Sequence, residues 1–143
     1  MSTSGPDQLA IESRRWLRLA KDDLAGARAL LERDDVAPHL ACYHAQQAAE
    51  KAIRARLIRR RVEFPRTHDL VALRALLPQD LQRRIDLDAA KELSAWAIQG
   101  RYPGDAPEAT REQARYAVDL AIDIVTPPAR RRSRREDPSR HGA

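Results

Sequence analysis

The chain contains 143 residues, of which 43% are apolar and only 4% are aromatic. This length is typical of one domain, whose core must consist mainly of aliphatic side chains. The single cysteine, Cys42, excludes an internal disulfide, and no apolar run resembles a signal segment or a membrane span. We therefore expect a cytoplasmic protein that does not associate with a membrane.

Positive charge is concentrated in two stretches of the sequence, although the formal net charge is only +5. Residues 54–66 contain six arginines and one glutamate, and residues 127–143 contain six arginines and two acidic residues. Such stretches are compatible with RNA or another anionic partner, and equally with a solvated surface. Because residues 127–143 have too little apolar content to fold, we predict one helical domain over 1–126 and a disordered Arg-rich tail over 127–143.

Apolar residues recur at helical spacing along most of the chain, and no strand pattern competes with them. The predicted helices cover 8–33, 37–61, 68–77, 79–99 and 107–125. Thr67 is the predicted N-cap of the third helix, and Asp105 with Glu108 has the spacing of a capping box for the fifth. The predicted fold is therefore all-α, an up-and-down bundle of four long helices plus one short helix.

The second helix has two faces of different character. Its alanines fall within an arc of about 120°, which lets another helix approach closely, either within the chain or across a dimer interface. These alanines are Ala41, Ala45, Ala48, Ala49, Ala52 and Ala55. The other side is polar and carries Tyr43, Gln47, Glu50 and Arg54, with His44 and Lys51 at its edge. This side is either a solvated face or a surface that binds a nucleotide or a partner.

Four segments in this order resemble the HEPN family, small helical domains of prokaryotes that are often encoded beside a minimal nucleotidyltransferase. The segments are Trp16–Leu24, Tyr43–Lys51, Phe64–Leu70 and Arg101–Pro103. The resemblance covers most of the domain. It implies a HEPN-like bundle that forms a homodimer and acts with a minimal nucleotidyltransferase, many such pairs being toxin and antitoxin.

RNA-cleaving members of the wider HEPN superfamily carry an arginine and a later histidine with four to six residues between them, and a polar residue usually follows the arginine directly. The corresponding residues here are Arg61 and His68, with Val62 directly after the arginine and Pro65 between the two. A histidine can move protons near neutral pH and an arginine can hold a phosphate, so the pair suits metal-independent cleavage. The resemblance makes His68 the candidate acid or base and Arg61 or Arg101 the candidate phosphate binder. The alternative for His68 is a local hydrogen bond near the Thr67 cap.

A noncatalytic function is also compatible with the sequence. In that interpretation Tyr43, His44, Gln47, Lys51 and Tyr102 bind a nucleotide or a partner protein. Four histidines and one cysteine without paired spacing predict no metal site, and no motif predicts a cofactor. The sequence therefore leaves two functions open: a toxin-like or substrate-positioning partner of a minimal nucleotidyltransferase, able to cleave RNA, and a noncatalytic binding module.

Overall fold

The computed structural model describes residues 5–97 and 108–126, and no strand occurs among these residues. The regular elements are α1 (Pro6–Leu31), α2 (Pro38–Arg59), α3 (Leu70–Ala75), α4 (Gln79–Gln82), α5 (Leu87–Ser94) and α6 (Arg111–Val125). The predicted all-α class is therefore confirmed. None of the helices in the described ranges is long and apolar enough to cross a membrane.

The long helices α1 and α2 each have a proline in the first turn. Pro6 and Pro38 lie in their first turns, where a missing backbone N–H costs nothing and the fixed φ favours a helix. The six alanines that share one face of α2, from Ala41 to Ala55, form an alanine stripe, and all of them are buried. Helix α2 packs most extensively against α1 and α6. Because helices of the same chain cover the stripe, its interpretation as a dimer interface is wrong.

The carboxyl end of α2 closes with a left-handed residue, Arg61, whose φ is 59°. Arg61 N–H donates to the Ile58 carbonyl and Val62 N–H donates to the Leu57 carbonyl, both at 3.0 Å. These two bonds define a Schellman motif, in which glycine usually occupies the left-handed position. Val62 then packs against the core that contains Leu57. Arg61 thus ends α2 in a conformation that an ordinary side chain disfavours.

The structure corrects the predicted start of the third helix. Helix α3 begins at Leu70, and Asp69 is its N-cap, with Oδ1 accepting from the Val71 and Ala72 amides. Thr67 instead accepts a hydrogen bond from the Asp69 amide through Oγ1. His68 consequently lies in the loop before α3 and not in a helical turn.

The predicted fourth helix is divided into α4 and α5. Asp86 causes the division, because its carboxylate accepts a hydrogen bond from the Ala89 amide and its own backbone is extended. The apolar ridge nevertheless remains buried on both sides of the break, at Leu81, Ile85, Ala89 and Leu93. Apolar spacing alone therefore did not reveal the new helix start.

Helix α6 begins later than predicted. Thr110 and Gln113 form its capping box, in place of the predicted Asp105 and Glu108. Its buried face carries Val118, Ile124 and Val125, and Ile122 is half-buried beside them. Asp105 lies outside the described residues, as do Gln99 at the end of the predicted fourth helix and the predicted tail over 127–143.

Candidate functional site

A polar network is built into the side of α2 that faces the loop before α3. Gln46 and Glu50 are one helical turn apart, and they are buried, with exposed fractions of 0% and 2%. Sequence reasoning placed Glu50 on a polar face. Because a carboxylate loses its hydration when it is buried, it needs hydrogen-bonding and charged partners within the protein.

Glu50 has three such partners. His68 Nδ1 lies 2.7 Å from Oε1, Arg54 Nη2 lies 3.2 Å from Oε2, and Gln46 Nε2 donates to Oε1 at 3.1 Å. Both carboxylate oxygens are therefore occupied. The charge of Glu50 is balanced permanently by Arg54 and additionally by His68 when the imidazole is protonated.

Arg54 is itself held on several sides. Its Nη2 also donates to the Thr67 carbonyl at 3.0 Å. The guanidinium carbon lies 5.6 Å from the centre of the Trp16 ring and 5.7 Å from that of Phe64, which is within cation–π range. Arg54 thus ties α2 to the loop that carries His68 and fixes the position of Glu50.

His68 is more exposed to solvent than Glu50 or Arg54, with 40% of its side chain exposed. The Glu50 carboxylate can only accept a hydrogen bond from Nδ1. The neutral imidazole therefore carries its proton on Nδ1 and has a lone pair on Nε2. No residue in the described ranges forms a hydrogen bond with Nε2. This nitrogen can therefore accept a proton from a substrate and later release it.

Gln47, a predicted binding residue, is connected to His68 through a chain of hydrogen bonds. Gln47 Nε2 donates to Gln46 Oε1 at 2.6 Å, and Gln46 Nε2 donates to Glu50 at 3.1 Å and to the His68 carbonyl at 3.4 Å. The amide of Gln46 thereby holds both the carboxylate and the backbone of the loop. Gln47 is half-buried at the outer end of this chain.

A second cluster surrounds Asp23 of α1. Lys51 Nζ lies 2.5 Å from Oδ2 of Asp23, and His44 Nδ1 lies 3.4 Å from Oδ1. The rings of Tyr43 and His44 meet edge to face, with centres 5.4 Å apart. The structure therefore gathers three predicted binding residues, Tyr43, His44 and Lys51, into one half-exposed group, in which Asp23 compensates the charge of Lys51.

Two further predicted site residues, Arg101 and Tyr102, lie outside the described residues. Arg61 occupies the turn that ends α2. Gln46, Glu50 and Arg54 were not predicted to support His68. A sequence signal for them existed, since the three polar residues recur every fourth position and therefore share one helical face.

Comparisons with known proteins agree with this helical arrangement. A model of the HEPN domain matches residues 13–131. The structure resembles TT1696 from Thermus thermophilus, with 34% identity, a TM-score of 0.64, and coverage of 79% of this chain and 92% of that one. It also resembles ST0689, an archaeal HEPN homologue, with 29% identity, a TM-score of 0.59, and coverage of 79% and 91% respectively. No curated protein matches the sequence. The chain belongs to the HEPN domain family.

Proposed function

We propose that this HEPN domain cleaves RNA without a metal ion, as the homodimeric, toxin-like partner of a minimal nucleotidyltransferase in the cytoplasm. The observation that carries this proposal is the contact of 2.7 Å between His68 Nδ1 and the buried Glu50 carboxylate. A buried carboxylate that orients an imidazole and stabilises its protonated form is a recurring support for proton transfer. His68 is then the catalytic residue, and Glu50 is a positioning residue.

The chemistry requires one proton acceptor and a group that stabilises the phosphate. Nε2 of His68 removes the proton of a ribose 2′-hydroxyl, and the 2′ oxygen attacks the adjacent phosphorus. The bond from phosphorus to the 5′ oxygen breaks, which leaves a 2′,3′-cyclic phosphate. The 5′ oxygen takes a proton from water, and the imidazolium then releases its own. Arg61 and Arg101 are the proposed phosphate ligands, because a guanidinium matches two phosphate oxygens at once.

The test is incubation of the full chain with tRNA in the presence of EDTA. We expect cleavage products ending in a cyclic phosphate, and we expect His68→Ala to abolish them. His39→Ala is the matched control, since it removes a half-buried histidine of α2 that has no place in the proposed site. Cleavage that persists in His68→Ala would assign the activity to another group. Copurification with the product of a neighbouring nucleotidyltransferase gene tests the partnership.

A noncatalytic nucleotide- or partner-binding module is the second candidate, and the Tyr43–His44 ring pair favours it. Two half-exposed rings beside Lys51 offer a stacking surface next to a positive group. In this alternative the chain binds ATP or RNA but does not cleave it. Titration with both ligands should then show binding that Tyr43→Ala weakens and His68→Ala does not. Cleavage lost in His68→Ala would exclude this candidate as the whole function.

A further inference from the structure

The hydrogen bonds around Gln46 can run in one direction only. Its Nε2 donates to Glu50 Oε1 at 3.1 Å and to the His68 carbonyl at 3.4 Å. An ionised carboxylate and a carbonyl can only accept, so the Gln46 amide cannot be turned over without facing two acceptors with its own oxygen. Gln46 Oε1 is therefore fixed as the atom that faces Gln47, and it accepts from Gln47 Nε2 at 2.6 Å.

The orientation of the Gln47 amide follows from this chain of bonds. Since Gln46 Oε1 is an acceptor, Nε2 of Gln47 must point toward it and Oε1 of Gln47 must point elsewhere. Among the described residues nothing donates to Gln47 Oε1, and this atom is not one of the buried polar atoms that lack a partner, so solvent reaches it. The amide nitrogen also has a second N–H, which no described residue accepts. Gln47 thus presents a fixed acceptor beside a free donor.

Tyr43, Gln47 and Lys51 lie on one face of α2. They follow one another at four-residue spacing, which places the Cβ atoms of successive members about 6 Å apart. Tyr43 is positioned by its edge-to-face contact with His44, which leaves at least one face of the Tyr43 ring uncovered by His44. Lys51 is held by Asp23. An aromatic ring, a fixed amide and an ammonium group therefore lie in a row along the helix, next to the buried network.

The ring and the amide together suit a nucleotide base. The face of a tyrosine ring stacks on any base, whereas a side-chain amide distinguishes between bases by its hydrogen bonds. An amide oxygen beside an amide N–H matches adenine, whose amino group donates and whose N7 accepts. Guanine presents two acceptors at the corresponding edge, O6 and N7, and so offers the Gln47 oxygen no donor there. The Gln47 amide therefore favours adenine over guanine.

We propose that Gln47 is a specificity-determining residue of the His68 site, which binds the adenine of the nucleotide next to the cleaved bond while Tyr43 stacks on the same base. The adenine amino group donates to Gln47 Oε1, and N7 accepts from the free N–H. The bonds from Gln47 to Gln46, and from Gln46 to the backbone of His68, hold the base at a constant position relative to the imidazole. That the adenine belongs to a cleaved RNA rests on the proposed function, whereas the recognition of adenine by Gln47 does not.

The first experiment measures binding of the full chain to fluorescein-labelled 2′-O-methyl RNA hexamers, which cannot be cleaved through their 2′ oxygens. One hexamer contains a single adenine among uracils, and a second has purine, which lacks the amino group, in its place. Because one hydrogen bond is lost, the wild type should bind the purine hexamer about fivefold more weakly. Gln47→Met should bind both hexamers equally, and Gln8→Met, which changes an exposed glutamine of α1, should keep the preference. Equal binding in the wild type, or a preference that survives in Gln47→Met, would overturn the proposal.

The same assay tests the choice of base and the role of the ring. A hexamer with guanine at the central position should bind more weakly than the adenine hexamer, and tighter binding of guanine would overturn the assignment to adenine. Tyr43→Ala should weaken binding of the adenine and purine hexamers by the same factor, since stacking does not depend on the amino group. Tyr116→Ala is its control, because it removes an exposed ring of α6. Unchanged binding in Tyr43→Ala would overturn the stacking on Tyr43.

The second experiment connects the base to the chemistry by mapping the cleavage of a uracil-rich RNA that contains one adenine. The wild type should cut beside the adenine, and Gln47→Met should distribute the cuts along the strand. His68→Ala should lose cleavage and still prefer the adenine hexamer, because the backbone carbonyl that Gln46 holds remains. An adenine preference in binding without any cleavage by the wild type would reject the proposed function and support the adenine site. Cleavage by the wild type without regard to the adenine would overturn the connection between Gln47 and His68.

Discussion

Glu50 and His68 are in contact at 2.7 Å although one lies in α2 and the other in the loop before α3. The carboxylate belongs to the core, whereas the imidazole reaches the solvent. The pair therefore connects a fixed interior charge to a group that can exchange protons with a substrate. Glu50 consequently has two effects that experiments can separate, one on the stability of the fold and one on the chemistry of His68.

Glu50→Gln is expected to lower both stability and activity. The amide has nearly the same size, but it leaves Arg54 without its ion-pair partner inside the protein. Breaking a buried ion pair costs about 3 kcal/mol of unfolding free energy. RNA cleavage should also fall through kcat with KM unchanged, because the protonated imidazole loses its supporting charge. Urea unfolding and steady-state kinetics measure the two effects.

Glu63→Gln is the control for the Glu50 variant. Glu63 is exposed in the same loop as His68, so this change alters the net charge equally without touching the buried network. It should leave the unfolding free energy within about 0.5 kcal/mol of the wild type. If both variants lose the same stability, the loss reflects net charge, and the network around Glu50 does not stabilise the fold.

The alanine stripe of α2 was predictable because helical spacing alone determines which positions share a face. The burial of Glu50 could not be predicted from the sequence in this way. A glutamate on a polar face has the same pattern whether water or a folded-back loop covers it, and the covering loop depends on where the chain turns after Arg61. The same reasoning explains Asp86, whose cap interrupts a helix while the buried ridge on either side keeps its spacing.

Arg61→Gly should be more stable than Arg61→Ala, because glycine adopts the left-handed conformation at φ 59° without a steric penalty. The expected gain is about 1 kcal/mol of unfolding free energy relative to Arg61→Ala, which loses the same side chain and retains the strain. Denaturant unfolding of both variants isolates the backbone effect. If Arg61 also binds the scissile phosphate, both variants should lose cleavage to the same extent. Equal stability of the two would show that the turn carries no strain.

Asp23→Asn tests the second cluster. The substitution removes the charge that holds Lys51 at 2.5 Å and His44 at 3.4 Å. Because charge-assisted hydrogen bonds are the stronger ones, the unfolding free energy should fall by about 2 kcal/mol. Asp22→Asn is the matched control, since Asp22 is the exposed neighbour on the same helix. A fall of the same size in Asp22→Asn would mean that Asp23 acts through the general charge of α1 and not through Lys51.

Because the Cys42 thiol is buried, we expect the unfolding free energy to fall at alkaline pH. Burial, reinforced by the negative charge of Glu92, raises the pKa of the folded thiol from its ordinary 9.0 to about 11. Below pH 9 the thiol is protonated in both states and the full stability is present. Between the two pKa values the unfolded chain loses the proton first, so stability falls as the pH rises. At pH 10.5 this amounts to about 2 kcal/mol.

Cys42→Ala separates this effect from the other groups that titrate in alkali. The alanine changes packing by an amount that does not vary with pH, so the difference in unfolding free energy between the two proteins should shrink by about 2 kcal/mol from pH 8 to pH 10.5. Iodoacetamide labelling gives an independent measurement, because only the thiolate reacts. Labelling should be slow in the native protein at pH 8 and rapid in guanidinium chloride. A constant difference in stability together with rapid native labelling would place the thiol in contact with water, contrary to its burial in α2.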